Sequence, residues 1–226
     1  MVGDSDALLV DDLRPLRDQI RERVRAWIID GRLEPGVPVR ERELAERFGV
    51  SRLPVREAIR MLEVEGFVET RARRGAIVRG LHRRDVEQEF EVREVLEVLE
   101  ARLAAKHLES AGARRLRWLV DESEHMLQTD DRARFAEVNA EFHDAISQAA
   151  GNHTLAAVLL PLAGRLQWNT AQNAHPERIL AEHRRLADAI ASNDPDRAGE
   201  EARVHLNSRR QALLGTLPDS ESADSL

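Results

Sequence analysis

Residues 31–80 read GRLEPGVPVRERELAERFGVSRLPVREAIRMLEVEGFVETRARRGAIVRG. Leu44, Ala45 and Phe48 share one face of a short helix over 41–48, and Gly49 breaks it. Ser51 is a residue type that caps the next helix, and Pro54 falls in its first turn, where a missing N–H does little harm. Val55, Ile59, Met61 and Leu62 supply an apolar face, and Gly66 stops the helix. Residues 67–70 then read as a strand, 71–75 as a turn and 76–78 as the returning strand. Upstream, Leu13, Leu16, Ile20, Val24, Trp27 and Ile28 form an amphipathic stripe that Gly31 and the Pro35-Gly36 turn bring to an end. Helix, short helix, turn, helix, hairpin is the order of a winged helix-turn-helix with a small β-hairpin wing.

From about residue 85 the strand signals cease. Segments 85–108, 111–128, 131–150, 154–171, 176–192 and 195–214 each carry helical periodicity, punctuated by Gly112, Gly151-Asn152, Pro176 and Asn193-Asp194-Pro195. The expected fold is mostly α: a DNA-reading module over 13–80, then an all-α antiparallel helical bundle over 85–214. Residues 1–12 lack periodicity and read as a flexible start, and the acidic, Ser-rich 215–226 as a disordered tail.

Charge divides along the same line. The total is −7, yet residues 13–80 hold 16 arginines against 11 acidic residues, a balance of +5, which leaves −12 for the rest. A basic module joined to an acidic one suits a nucleic-acid reader attached to something else. With no cysteine there is neither a disulfide framework nor a thiolate metal site. No apolar run approaches the ~20 residues of a membrane span, and the N-terminus lacks signal-peptide features, so a cytoplasmic location is expected.

A recognition helix reaches base edges with its N-terminal residues. Here that end carries Ser51, Arg52 and Arg56, the two arginines one turn apart on one face. Arginine is the side chain best suited to bidentate contact with guanine or phosphate. Arg42 opens the preceding helix and is placed to grip flanking backbone. The wing turn carries Arg71, Arg73 and Arg74 ahead of Gly75, a residue that permits close approach to a groove.

Three of the eight histidines form a pattern. Asn139 and His143 are i and i+4 on one helix. His183 and His205 lie eleven residues on either side of Asp194, so an antiparallel hairpin would set them level. Both can then face the helix of Asn139 and His143. Imidazoles meeting inside a bundle could bind a divalent ion, and three unrelated polar histidines is the competing reading. An enzyme is disfavoured, because Glu141 and Glu182 are expected to point off the face of the histidines and no other general base adjoins them.

The stretch over 13–80 resembles the DNA-binding domain of GntR-family bacterial transcription regulators. Gly31-Arg32-Leu33-Glu34-Pro35-Gly36, Glu43-Leu44-Ala45, Gly49-Val50-Ser51-Arg52, Pro54-Val55-Arg56-Glu57-Ala58 and Arg74-Gly75 carry the likeness. Residues 85–214 resemble the helical effector-binding FCD domain of the FadR subgroup, through Glu91–Glu97, Asn139-Ala140-Glu141-Phe142-His143, Glu182-His183-Arg184 and Val204-His205-Leu206. The resemblance implies DNA contacts at Arg42, Arg52, Arg56, Arg74 and Gly75, with Leu53 standing where relatives carry a small or hydroxyl residue. It further implies metal ligands at Asn139, His143, His183 and His205, with Asn139 in place of the aspartate common in relatives. Ligands of N and O type leave Zn²⁺ favoured, with Ni²⁺ and Mn²⁺ open. Arg93 occupies a position the family uses for a carboxylate effector, against an ordinary pair with Glu97; Trp168 and Asn169 are further candidates for that cavity. The implied function is a transcription regulator, in the repressor sense, acting as a homodimer on a palindromic operator under effector control. The alternatives are a DNA-binding dimer whose metal is purely structural, and a metal-dependent hydrolase.

Overall fold

A computed structural model describes residues 14–71, 75–80, 82–160, 162 and 175–217 of the chain. The chain divides into two compact units, the second beginning at His82.

The first unit runs α1 (Leu16–Ile29), α2 (Glu41–Phe48), α3 (Arg52–Val64), β1 (Val68–Arg71) and β2 (Gly75–Val78). The stripe on α1 buries Ile20, Val24, Trp27 and Ile28 against Leu44, Val55, Ile59 and Leu62 of α2 and α3. Leu16, expected on the same stripe, is exposed. Trp27 stacks on Phe48 with ring centroids 5.2 Å apart, which ties α1 to the end of α2. Gly49 closes α2 in the left-handed region at φ 66°, where a side chain would be strained, and the chain turns sharply into α3. Ser51 holds the N-cap position of α3, but its hydroxyl makes no capping bond, contrary to its expected role as a cap.

β1 and β2 pair antiparallel, Val68 opposite Val78 and Arg71 opposite Gly75. A third segment braces the hairpin: Gly36 N–H donates to Val78, Val39 N–H to Ala76, and Val78 N–H back to Val37. Gly75 takes φ +73° with nothing within 4 Å of a built Cβ, so backbone conformation rather than space calls for glycine there. Arg73 and Arg74, singled out from the sequence, lie outside the described residues, as do residues 1–12 and most of the acidic tail.

The described residues of the second unit are helices joined by short turns. It contains α4 (Arg83–His107), α5 (Ser110–Gln128), α6 (Arg132–Ala150), helical residues 153–160, α7 (Pro176–Ala191) and α8 (Pro195–Leu214). α4 lies along α8 and α6, and α5 along α6 and α7. The core is small and aliphatic where helices cross, with Ala101, Ala104 and Ala105 of α4 meeting Leu119, Phe142, Ile190, Ala198 and Ala202. Gly199 lets α8 approach α4, since a Cβ there would sit 3.0 Å from Arg102 Cγ and 3.3 Å from Val98. Asp194 caps α8 by accepting the N–H groups of Asp196 and Arg197, and Pro195 follows in the first turn. That cap fixes the α7–α8 hairpin, and with it the register of His183 and His205.

Candidate functional site

The exposed end of the first unit is the N-terminus of α3. Arg52 is the first residue of that helix and Arg56 sits one turn on, while Val55, Ala58 and Leu62 anchor the opposite face in the core. Both guanidinium groups turn toward Glu41, the first residue of α2. Arg56 donates Nε and Nη2 at 2.8 and 2.9 Å, and Arg52 donates Nη2 at 3.0 Å. These bonds, those of Arg56 foremost, hold the Glu41 carboxyl down at about 2. Arg42, on the solvent side of α2, is held only loosely by Glu46 at 3.5 Å. Arg71 pairs with Glu69 at 2.7 Å at the turn end of the hairpin. Arg42, Ser51, Arg52 and Arg56 all lie exposed or nearly so on the two helices, and Gly75 on the wing strand. The result is a ridge of arginine donors set on a rigid helix pair, suited to an anionic duplex.

Inside the second unit, α6, α7 and α8 bring His143, His183 and His205 together. Their candidate ligand atoms all lie within 4.8 Å of one another. All three Nε2 atoms are buried with no hydrogen-bond partner among the described residues. Leaving one such group unsatisfied costs about 1–3 kcal/mol, so three aimed at one spot call for a shared ligand. Two of the imidazoles are fixed from behind. Phe142 stacks on His183 with centroids 4.2 Å apart. His205 Nδ1 donates to Glu182 Oε2 at 2.9 Å, which leaves its Nε2 as the lone-pair nitrogen. Burial pushes His143 and His183 well below the usual imidazole range, and the neighbouring histidines and Arg209 push the same way. Neutral imidazoles are the metal-binding form. Residues and chemistry therefore fit a divalent ion held by three nitrogens. Asn139 sits one turn before His143 on α6, partly buried.

Glu182 departs from expectation. It was expected to point away from the histidines, yet it is buried and hydrogen-bonded to His205. α7 packs against α5, α4 and α8, so adjacent residues on it bury in different directions and still both meet neighbours. Burial raises the Glu182 carboxyl, but bonds from His205, Ser208 and Arg178 outweigh it and the net shift is downward. Glu141 does face away, pairing with Arg115 and Arg134.

Two cations adjoin the histidines. Arg93 on α4 is 4% exposed and pairs with Glu97, and its Nη1 is buried without a partner among the described residues. Arg209, one turn past His205 on α8, is desolvated enough to bring it down to about 10, with Arg93 adding to the effect. The sequence reading passed over Arg209; its i+4 spacing from His205 was the available signal. Trp168 and Asn169 lie outside the described residues.

Glu100, also on α4, is 9% exposed. Burial raises its carboxyl to about 7; Ser147 and Arg93 oppose the shift, and Glu97 and Asp144 add to it. With a folded value above the unfolded one, Glu100 binds its proton more tightly in the native state. The associated stability is present below about 4.5 and is lost as pH rises through about 7. Glu100→Gln removes the charge and keeps an acceptor for Ser147. It should stabilise the helical unit by about 2 kcal/mol at pH 8 and by almost nothing near pH 4. Urea melts at the two pH values check this.

The comparisons agree on both halves. Residues 16–78 match the model of "Bacterial regulatory proteins, gntR family", and residues 88–208, more than half of the chain, match "FCD domain". The chain is 34% identical over 190 residues, 83% of each partner, to the "Probable D-xylose utilization operon transcriptional repressor" of Paenarthrobacter nicotinovorans. It is 25% identical over 209 residues to the transcriptional repressor RspR of Escherichia coli strain K12, covering 85% of this chain and 86% of that one. Among solved structures, E. coli McbR/YncC superposes with a TM-score of 0.75 at 20% identity, covering 90% of this chain and 99% of that one. A GntR regulator from Rhodococcus sp. RHA1 gives 0.71 at 20% identity, covering 89% and 99%.

Proposed function

Since the chain belongs to the GntR family of bacterial regulatory proteins, with an FCD domain behind its DNA-binding domain, we propose that it is a repressor whose operator binding answers to a small carboxylate held at a metal in the helical unit. It is a DNA-binding transcriptional regulator and not an enzyme. In this reading it works as a homodimer on a palindromic operator, two-fold protein symmetry calling for two half-sites. Arg52 and Arg56 read base edges, Arg42 holds the flanking backbone, and the wing with Arg74 and Gly75 enters the neighbouring groove. No described helix is long and apolar enough to cross a membrane; a regulator of the bacterial chromosome acts in the cytoplasm.

The observation that carries the effector reading is the set of unsatisfied donors and acceptors. Three buried Nε2 atoms and the Nη1 of Arg93 lack partners among the described residues. His143, His183 and His205 would hold the ion, zinc in preference to nickel or manganese, with Asn139 as a fourth, neutral ligand. When bound, the ion supplies a Lewis-acidic centre for a carboxylate oxygen. The charges nearby are otherwise balanced, Arg93 and Arg209 against Glu97 and Glu182. A divalent ion would tip that balance to +2, and an anionic ligand would lower it. Arg93 Nη1 then finds a carboxylate acceptor, and Glu182 keeps His205 in the tautomer that presents Nε2. Ligand binding biases one of two arrangements of the dimer, and operator affinity follows by linkage.

The test is a thermal-melt panel of small mono-, di- and hydroxycarboxylates against chelator-stripped and zinc-reloaded protein. A subset of ligands is expected to raise the melting temperature of the reloaded protein alone. At a hundred times its Kd a ligand adds about 2.7 kcal/mol, a shift of several degrees. No shift with any member in the reloaded protein would leave a structural metal and a helical unit that serves dimerisation only.

A further inference from the structure

The Glu41 carboxylate sits where DNA should be unwelcoming to it. It lies beside the two arginines assigned to base reading, and it will face phosphates when they do. Other acids on α2 make single surface pairs, such as Glu43 with Arg40 at 2.7 Å and Glu46 with Arg42 at 3.5 Å. Glu41 differs from them. It receives three N–H bonds from two guanidinium groups on another helix, 11 and 15 residues along the chain. Its side chain is 27% exposed, against 61% for Arg52 and 45% for Arg56.

The pattern of edges matters more than the pairing. A guanidinium has five N–H donors in a fixed plane. Glu41 occupies the Nε–Nη2 edge of Arg56 and one N–H on Nη2 of Arg52. Among the described residues, the outer Nη1–Nη2 end of Arg56 makes no further bond, and neither does Nη1 of Arg52. A bidentate guanine contact needs two parallel N–H groups on one edge, and Arg56, 45% exposed, retains such an edge beyond the one Glu41 holds. Unheld, each long side chain could reach any phosphate within its sweep.

We propose that Glu41 is a specificity-determining positioning residue: it grips Arg56 by one edge and Arg52 by one N–H, so that their remaining donors read guanine. Its own charge meanwhile penalises indiscriminate phosphate binding. This rests on the reading of Arg52 and Arg56 as DNA-contacting residues. Glu41 touches no base in this account; it acts through the two arginines.

The experiment begins with the full chain selecting its preferred duplex from a randomised pool. Affinities are then measured by fluorescence anisotropy for that duplex, for every single-base variant of it, and for a random-sequence duplex. Salt is varied from about 50 to 200 mM. The proteins are wild type, Glu41→Gln, Glu41→Asp and Arg56→Ala. Glu41→Gln keeps the shape and loses the charge. It should bind the random duplex more tightly, with a salt slope steeper by about one phosphate. Its discrimination at guanine positions should fall about tenfold, and Glu41→Asp should recover part of that loss. If Glu41→Gln tightens all duplexes alike and leaves the base profile intact, Glu41 merely repels DNA and the proposal fails. It fails equally if the profile is unchanged and only the melting temperature drops, for then Glu41 is a strut between α2 and α3. An unaltered base profile in Arg56→Ala would instead sink the assignment of the arginines themselves, a separate result.

Discussion

His183→Ala will bind zinc at least about a hundredfold more weakly than the wild-type chain. Structural zinc sites of four ligands are worth about 10–16 kcal/mol, so one nitrogen ligand accounts for roughly 2.5–4 kcal/mol. The loss should appear in equilibrium competition with a chromophoric chelator. His205→Ala is expected to match it, because the two imidazoles face each other across the α7–α8 hairpin with centroids 4.9 Å apart. Glu182→Gln tests the support rather than the ligand: an amide no longer fixes the His205 tautomer, and affinity should fall about 10- to 100-fold. His183 also packs on Phe142, so each variant needs a helical circular-dichroism spectrum before its affinity is read. Wild-type zinc affinity in a folded His183→Ala chain would remove the three-histidine site from the account.

The second large effect belongs to the recognition helix. Arg52→Ala and Arg56→Ala should each weaken binding to the selected duplex by about 1–3 kcal/mol, roughly 10- to 100-fold. The loss should be confined to the half-site positions each arginine reads. Arg56→Ala carries an added penalty, since it leaves Glu41 with only Arg52 to neutralise it. Arg42→Ala should behave differently, weakening all sequences alike and lowering the salt slope by about one. Uniform losses from all three variants would mean that Arg52 and Arg56 hold phosphate and that sequence is read elsewhere.

Much of this architecture is legible in the chain because its signals are local. The stripe from Ile20 to Ile28, the glycines at 49 and 66, and the alternating run to Val78 specify the first unit within short windows. The level placement of His183 and His205 followed from counting residues to the Asp194 turn, since helical rise converts sequence distance into height. What escaped depends on angles between elements. Leu16 reads as part of the α1 stripe, yet as the first residue of that helix it stays exposed. Glu182 adjoins a ligand in sequence, and only the packing of α7 against three other helices turns it inward. The bonds from Arg52 and Arg56 to Glu41 depend on the crossing of α2 and α3, a quantity no periodicity encodes. Segment 36–39 carries two prolines nearby and little strand signal, yet it hydrogen-bonds along β2 once the hairpin exists to receive it.

The most direct test of the account is one pair of binding isotherms. Zinc-loaded protein is titrated into its selected duplex, with and without the carboxylate that raises its melting temperature most. The ligand should change operator affinity by about 5- to 150-fold, and chelator-stripped protein should show no such change. Superimposable isotherms, with the ligand demonstrably bound, would contradict effector control.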